Sequence, residues 1–313
     1  MSFAFTFPGQ GSQAVLMGKE LADQFAAARQ VFEEVDDALE QKLSTIMWEG
    51  PEDTLTLTEN AQPALMAVSM AVMRVLESKG FDLADKAAYV AGHSLGEYSA
   101  LAAAGTFSLA DTARLLKIRG QAMQAAVSVG QGAMAAILGL DFATVTDIAG
   151  QAAKEGEVCG AANDNAPGQV VVSGSVAAVE RACELAKEAG AKRAMPLPVS
   201  APFHCSLMMP AAERMAVALS EVQMSAPSVP LVANVTARPT SDPDRIREQL
   251  VTQVTGVVRW SESVSWLREN NVSTLVELGS GKVLTGLSRR INKELSATAL
   301  NNGTDIDAFL ETL

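Results

Sequence analysis

The sequence predicts an α/β protein: a mostly parallel sheet with flanking helices, and a smaller β-α-β-β-α-β unit inserted into it. Three observations carry this expectation. Short apolar runs, FAFTF (3–7) and AAYVAG (87–92), alternate with long helical patterns and end on glycine-rich turns, the order of strands feeding crossover helices. The stretch 127–198 has its own sequence of four short strands and two helices. With 313 residues, 48% hydrophobic and 19% charged, the chain can bury a large core and hold more than one folding unit.

Taken in order, residues 3–7 alternate as a strand and run into the loop PGQGSQ. One helical pattern covers GKELADQFAAARQVFEEVDDALE (18–40), and another covers QPALMAVSMAVMRVLESKG (62–80), stopping at Gly80. AAYVAG then forms a buried strand, followed by a helix from about Leu95 to Ala104 and another over LADTARLLKIRGQAMQAAV (109–127). Within 127–198, AMAAILGL is a strand and DFATVTDIAGQAAKEG a helix. EVCGAAND and VVVSG are strands joined by a PGQ turn, SVAAVERACELAKEAG is a helix and AKRAMPLPV a closing strand. That order is the ferredoxin-like split. The expected organisation is therefore a larger domain over 1–126 and 199–313, interrupted by a small subdomain over 127–198. In the second part PLVANV and STLVELGSG read as strands.

A formal net charge of −12 argues against nucleic acid as a general partner. Three cysteines (Cys159, Cys183, Cys205) without metal-ligand spacing point to a reducing compartment. MSFAFTFPGQ has no basic n-region and its apolar run is cut by Pro8 and Gly9, so it is expected to be a strand rather than a signal peptide. No apolar segment is long enough to span a bilayer. The expectation is a soluble cytoplasmic protein with no membrane partner.

The chemistry centres on GHSLG (92–96). Gly-x-Ser-x-Gly is the nucleophile-elbow pattern, in which flanking glycines let strand and helix pass closely and present the serine at the bend. A glycine-rich turn with Ser94 as an N-cap is the other reading. A serine nucleophile needs a base, and the chain has only His93 and His204. His93 adjoins Ser94 on a sharp turn, where neighbouring side chains point apart. His204, in the proline-punctuated PVSAPFHCSLM, is either that base or a hydrogen-bonded loop histidine. On a helical wheel Arg119 shares the apolar face of Leu115, Ala122, Met123 and Ala126. It either snorkels to the surface or is a buried fork awaiting a carboxylate. FPGQGSQ lacks the Gly-x-Gly-x-x-Gly order of a phosphate cradle and suits an oxyanion hole instead.

These pieces together resemble one family, the malonyl-CoA:acyl carrier protein transacylases of bacterial type II fatty-acid synthesis. The matching stretches are FPGQGSQ (7–13), TENAQPAL (58–65), GHSLGEYSAL (92–101), the segment around Arg119, GAMAAILGL (132–140), NDNAPGQVVVSG (163–174), PVSAPFHCSLM (198–208) and ELGSGKVLTGL (277–287). The resemblance implies a hydrolase-like α/β domain with a ferredoxin-like insert. It implies Ser94 as the acyl-accepting nucleophile, His204 as its base, and the backbone amides of Gln10 and Leu95 as the oxyanion hole. Arg119 would bind the malonyl carboxylate, Gln62 would line the pocket, and the Gln253 backbone carbonyl would orient His204. Phe203, before His204, would crowd the acyl α-carbon, as a bulky residue does in similar acyltransferases that take malonyl units. Malonyl-CoA and acyl carrier protein would be the partners, with no metal or bound cofactor. Two departures bear on this: Gly256-Val257-Val258 replaces the usual Asn-Pro-Val, which puts the His204 orienter in question. Ser280 replaces the proline of Gly-Pro-Gly-Lys, which should loosen that turn. The alternatives are an α/β-hydrolase-type serine esterase or thioesterase, which usually carries its histidine late in the chain behind an acidic residue, and a polyketide-pathway acyltransferase.

Overall fold

β1 (Phe3–Phe7) is buried at every position, as a strand covered by helices on both faces should be. In this computed structural model, which describes residues 2–199 and 201–313, nine further strands follow among the described residues. They are β2 (Ala87–Gly92), β3 (Gly132–Leu138), β4 (Cys159–Ala166), β5 (Gln169–Ser175), β6 (Arg193–Pro196), β7 (Leu231–Ala233), β8 (Arg238–Thr240), β9 (Thr274–Leu278) and β10 (Ser296–Leu300). Met1 and Ser200, which the reading above puts at the start of the chain and in the resumption of the larger domain, lie outside the described residues.

One sheet has the order β10-β9-β1-β2-β7-β8. Its pairings are parallel except for β8 against β7. The other has the order β4-β5-β3-β6 and is antiparallel throughout, with the helices Phe142–Ala152 and Val176–Glu188 closing its own core around Ile137, Val145, Val170 and Val179. The fold class is as expected: a parallel-sheet α/β domain carrying a ferredoxin-like unit.

Two elements differ from expectation. The helical pattern over 18–40 is two helices, Lys19–Gln24 and Ala26–Leu39, because Phe25 is extended (φ −124°, ψ 122°). Its ring packs against the core beneath the Lys79 ammonium, 5.3 Å from the ring centre. The hydrophobic period runs on across the break, so the pattern hides it. The closing strand of the small sheet spans only Arg193–Pro196, because Pro196 and Pro198 have no amide to donate to a ladder.

The helix Thr58–Ser78 is buried along almost all of its 21 residues and forms the axis of the larger core. It begins four residues before Gln62 and carries Pro63 in its second turn. Because Phe7 pairs with Gly92 across β1 and β2, and β7 lies on the other side of β2, the loops after these strands leave one edge of the sheet together. That carboxyl edge is where open α/β sheets gather ligand-binding groups.

Candidate active site

Ser94 sits two residues after β2, at φ 54°, in the left-handed region that costs a side-chain-bearing residue about 1–2 kcal/mol. The sharp bend requires both flanking glycines. A Cβ on Gly92 would overlap the Gly96 carbonyl, and one on Gly96 would overlap the Phe7 carbonyl. The Ser94 amide donates to Asn234 Oδ1 at 2.8 Å, and Asn234 Nδ2 donates to the Gly92 carbonyl at 2.6 Å. Asn234, at the end of β7, thus staples the elbow from below. Ser94 is an elbow residue rather than an N-cap, since its side chain makes no cap bond to the helix Gly96–Ala103.

The Ser94 hydroxyl lies 2.8 Å from His204 Nε2. His204 is 4% exposed and also takes a left-handed backbone, φ 58°. Its Nδ1 donates to two backbone carbonyls, Gln253 at 2.9 Å and Gly256 at 3.1 Å, which leaves Nε2 as a lone pair facing the serine. Despite the Gly256-Val257-Val258 departure, the loop still presents backbone carbonyls to the His204 ring. This segment is held in place: Val258 donates to the Ala162 carbonyl at 2.9 Å and accepts from the Asp164 amide at 3.0 Å. His93 is directed elsewhere, with Nε2 against Asn165 Oδ1 at 2.8 Å and its ring near Trp260.

Burial pushes the His204 imidazole down to about 3, and the Arg119 charge pushes the same way against the two carbonyls. The folded protein keeps this ring neutral far below the ordinary histidine value, whereas the unfolded chain protonates near pH 6.5. Stability present above pH 6.5 is therefore lost as the pH falls toward 3. Replacing His204 by glutamine should remove this liability. The melting temperature of His204→Gln relative to the parent should rise from pH 7 to pH 4, whatever its sign at pH 7; a constant difference would show that His204 titrates as an ordinary exposed ring.

Arg119 is 1% exposed and does not snorkel. Nη1 donates to Gln62 Oε1 at 2.8 Å. Nη2 donates to Gln253 Oε1 at 2.8 Å and to Ser94 Oγ at 3.1 Å, and the guanidinium lies 5.7 Å over the Tyr98 ring. Burial lowers its affinity for the proton, opposed by Tyr98 and Glu97. A cation thus sits beside the nucleophile with Nε unpartnered among the described residues. Glu97, which the sequence reading did not single out, lies below with its carboxyl pushed up to about 7 by burial, against hydrogen bonds from Gln253 and Asn234.

Gln10 stands three residues after β1 and Leu95 three after β2, so the register of those strands brings the two segments side by side. Neither backbone amide makes a hydrogen bond among the described residues. The Gln10 loop is tied by Ser280, whose hydroxyl donates to the Ser12 carbonyl at 2.7 Å. The expectation of a looser turn there is corrected, because the serine supplies a bond that proline could not.

Phe203 is 8% exposed within the larger core, and its amide donates to the Ala201 carbonyl at 3.1 Å. Among the described residues no three His, Cys, Asp or Glu side chains converge where a metal ion could sit, and no helix is long and apolar enough to cross a membrane. The arrangement as a whole can form and resolve an ester on Ser94, beside a fixed cation that suits an acyl group with a free carboxylate.

Comparison with known proteins agrees with this chemistry. The family model described as acyl transferase domain matches residues 4–300. The malonyl CoA-acyl carrier protein transacylase of Escherichia coli (strain K12) is 47% identical over 309 residues, covering 99% of both chains. The crystal structure of the acyl-carrier-protein-S-malonyltransferase from Bartonella henselae is 62% identical, with a TM-score of 0.98 over 100% of this chain and 99% of that one. A malonyl-transacylase solved in complex with a type II PKS acyl-carrier protein is 43% identical, with a TM-score of 0.96 and full coverage of both chains.

Proposed function

The chain belongs to the acyl transferase family, among its malonyl-CoA:acyl carrier protein transacylases, and from that premise we infer how it works. It transfers the malonyl group of malonyl-CoA to the phosphopantetheine thiol of acyl carrier protein, supplying extender units for fatty-acid synthesis. The observation that carries this reading is Arg119 Nη2 lying 3.1 Å from Ser94 Oγ, a buried cation at the nucleophile itself.

Ser94 Oγ attacks the thioester carbonyl while His204 Nε2 takes the hydroxyl proton. The oxyanion forms against the Gln10 and Leu95 amides, each such donor being worth about 3–4 kcal/mol in a known hydrolase. Collapse expels CoA, whose sulfur receives the proton from His204, and leaves a malonyl ester on Ser94. The carrier thiol then gives its proton to His204, attacks the ester, and leaves as the malonyl thioester while Ser94 regains its proton. Arg119 holds the free malonyl carboxylate by its planar fork, and Gln62 keeps that fork in place. His204 is oriented by carbonyls, so the pair works as a dyad without a carboxylate third member.

The scheme uses no bound cofactor or metal. We read the protein as cytoplasmic, which its three cysteines, free among the described residues, support. Intact mass after brief exposure to malonyl-CoA tests the reading. One malonyl adduct should appear on Ser94 and disappear on adding carrier protein, and steady release of malonate without carrier would favour a hydrolase instead.

Phe203 sets the size of the acyl group by leaving no room for a methyl branch at the α-carbon. Overlap in a packed site costs about 1–3 kcal/mol, or roughly 10- to 100-fold in discrimination. Phe203→Ser should raise the methylmalonyl-to-malonyl ratio of kcat/KM. A uniform loss on both substrates with a lower melting temperature would assign Phe203 to anchoring the loop alone.

A further inference from the structure

We propose that Glu97 is a positioning residue for acyl selectivity: its carboxylate holds the Gln253 side-chain amide in the one orientation that offers Oε1 to Arg119. The inference rests on the malonyl-transfer reading and states how its arginine is aimed. Glu97 lies in the first turn of the helix Gly96–Ala103, three residues after Ser94, and is 1% exposed. The transfer chemistry makes no use of it.

Its Oε2 accepts from Gln253 Nε2 at 2.6 Å, and its Oε1 accepts from the Asn234 amide at 3.4 Å. The same Nε2 donates to the Ser94 carbonyl at 2.9 Å, while Gln253 Oε1 accepts from Arg119 Nη2 at 2.8 Å. The two ends of the Gln253 amide are thereby sorted by chemistry. A carboxylate and a carbonyl can only accept, and a guanidinium can only donate. If the amide turned over, Nε2 would meet Nη2 donor to donor, and Oε1 would meet two acceptor oxygens. The Glu97, Gln253 and Arg119 side chains are buried, so a mismatch among them leaves an unsatisfied polar atom out of reach of water.

In its ionised form Glu97 supplies an acceptor to each of two donors. Glutamine at this position has one oxygen and one NH2 group, so either the Asn234 amide or Gln253 Nε2 loses its partner. Turning Gln253 over to meet the new NH2 takes the Gln253 oxygen away from Arg119 Nη2 and leaves the fork held by Gln62 on Nη1 and by the Ser94 hydroxyl, the reacting group itself, on Nη2. A bidentate carboxylate pair depends on that planar fork being held. Acetyl transfer, which presents no carboxylate, depends on it far less.

The test is the malonyl-to-acetyl ratio of kcat/KM, which is internal to each preparation and independent of the folded fraction. Glu97→Gln should lower that ratio about tenfold. Gln253→Leu, which keeps the backbone carbonyl that His204 uses, should lower it similarly. The double variant should fall no further than Gln253→Leu alone, since the two residues act in series. An unchanged ratio in Glu97→Gln, or independent losses that multiply in the double variant, would overturn the proposal. If Glu97→Gln does not accumulate folded, Glu97→Asp, which keeps the charge but draws the carboxylate back from Gln253 Nε2, takes its place: a lowered ratio supports the relay, and an unchanged ratio there or in Gln253→Leu overturns it. The malonyl adduct on the parent's Ser94 checks the activity separately. Its absence would remove the malonyl reading and this role together, whereas an adduct with an unmoved ratio would remove the role of Glu97 alone.

Discussion

Ser94→Ala is expected to gain no malonyl mass on exposure to malonyl-CoA and to load no carrier protein, while melting as a folded protein. Its backbone stays at the elbow because the Asn234 bond is made to the amide rather than the hydroxyl, and alanine faces the same backbone strain that serine does. His204→Ala should form the acyl-enzyme slowly, losing roughly 10²–10⁴-fold for want of a general base. His93→Ala should cost less, since the His93 ring nitrogen is engaged by Asn165 and not by Ser94. A larger loss in His93→Ala than in His204→Ala would reverse the assignment of the base.

Arg119→Ala is the second large effect. A hydrogen bond to a charged group is worth about 1.5–3 kcal/mol, so losing both arms of a bidentate pair should lower the malonyl-to-acetyl ratio of kcat/KM by about 10²-fold or more. Absolute rates will fall for both substrates, because Gln62, Gln253 and Glu97 lose the cation around which they are arranged. The ratio separates the two contributions. Lysine should restore little of it, since an ammonium cannot reproduce the fork against Gln62, Gln253 and a carboxylate at once. Equal losses on malonyl- and acetyl-CoA would make Arg119 a structural cation only.

The elbow was legible because its constraint is local: five residues carry the close approach that Gly92 and Gly96 allow. Elimination between two histidines favoured His204 as the base, whereas the place of Arg119 on an apolar face left snorkelling and burial open, and only the family resemblance pointed it at a carboxylate. Of their partners, only Gln62 and the Gln253 backbone carbonyl came with the resemblance. Asn234 and the Gln253 side chain lie 137 and 156 positions from Glu97 along the chain, and Gln253 closes a polar helix, PDRIREQLVTQ, in which one more glutamine carries no signal. Nothing in any one segment shows that they converge. The Gly256 carbonyl, the second acceptor for His204, has no side-chain signature at all. The parallel sheet and the small antiparallel unit followed from element order, while the break at Phe25 escaped because helical period measures which face is buried and not whether the backbone continues.

The left-handed backbones of Ser94 and His204 set evolution and engineering at odds. Each residue occupies a conformation that glycine adopts freely, at a cost of order 1–3 kcal/mol per strained site. A campaign for thermostability that scored folding alone would therefore be drawn toward Ser94→Gly and would discard the nucleophile, whereas at His204 the buried ring and its two carbonyl bonds offset the strain. At the nucleophile, reactivity and backbone ease pull in opposite directions. Any improved variant would need to be selected under turnover, with stabilising changes sought away from the carboxyl edge of the sheet.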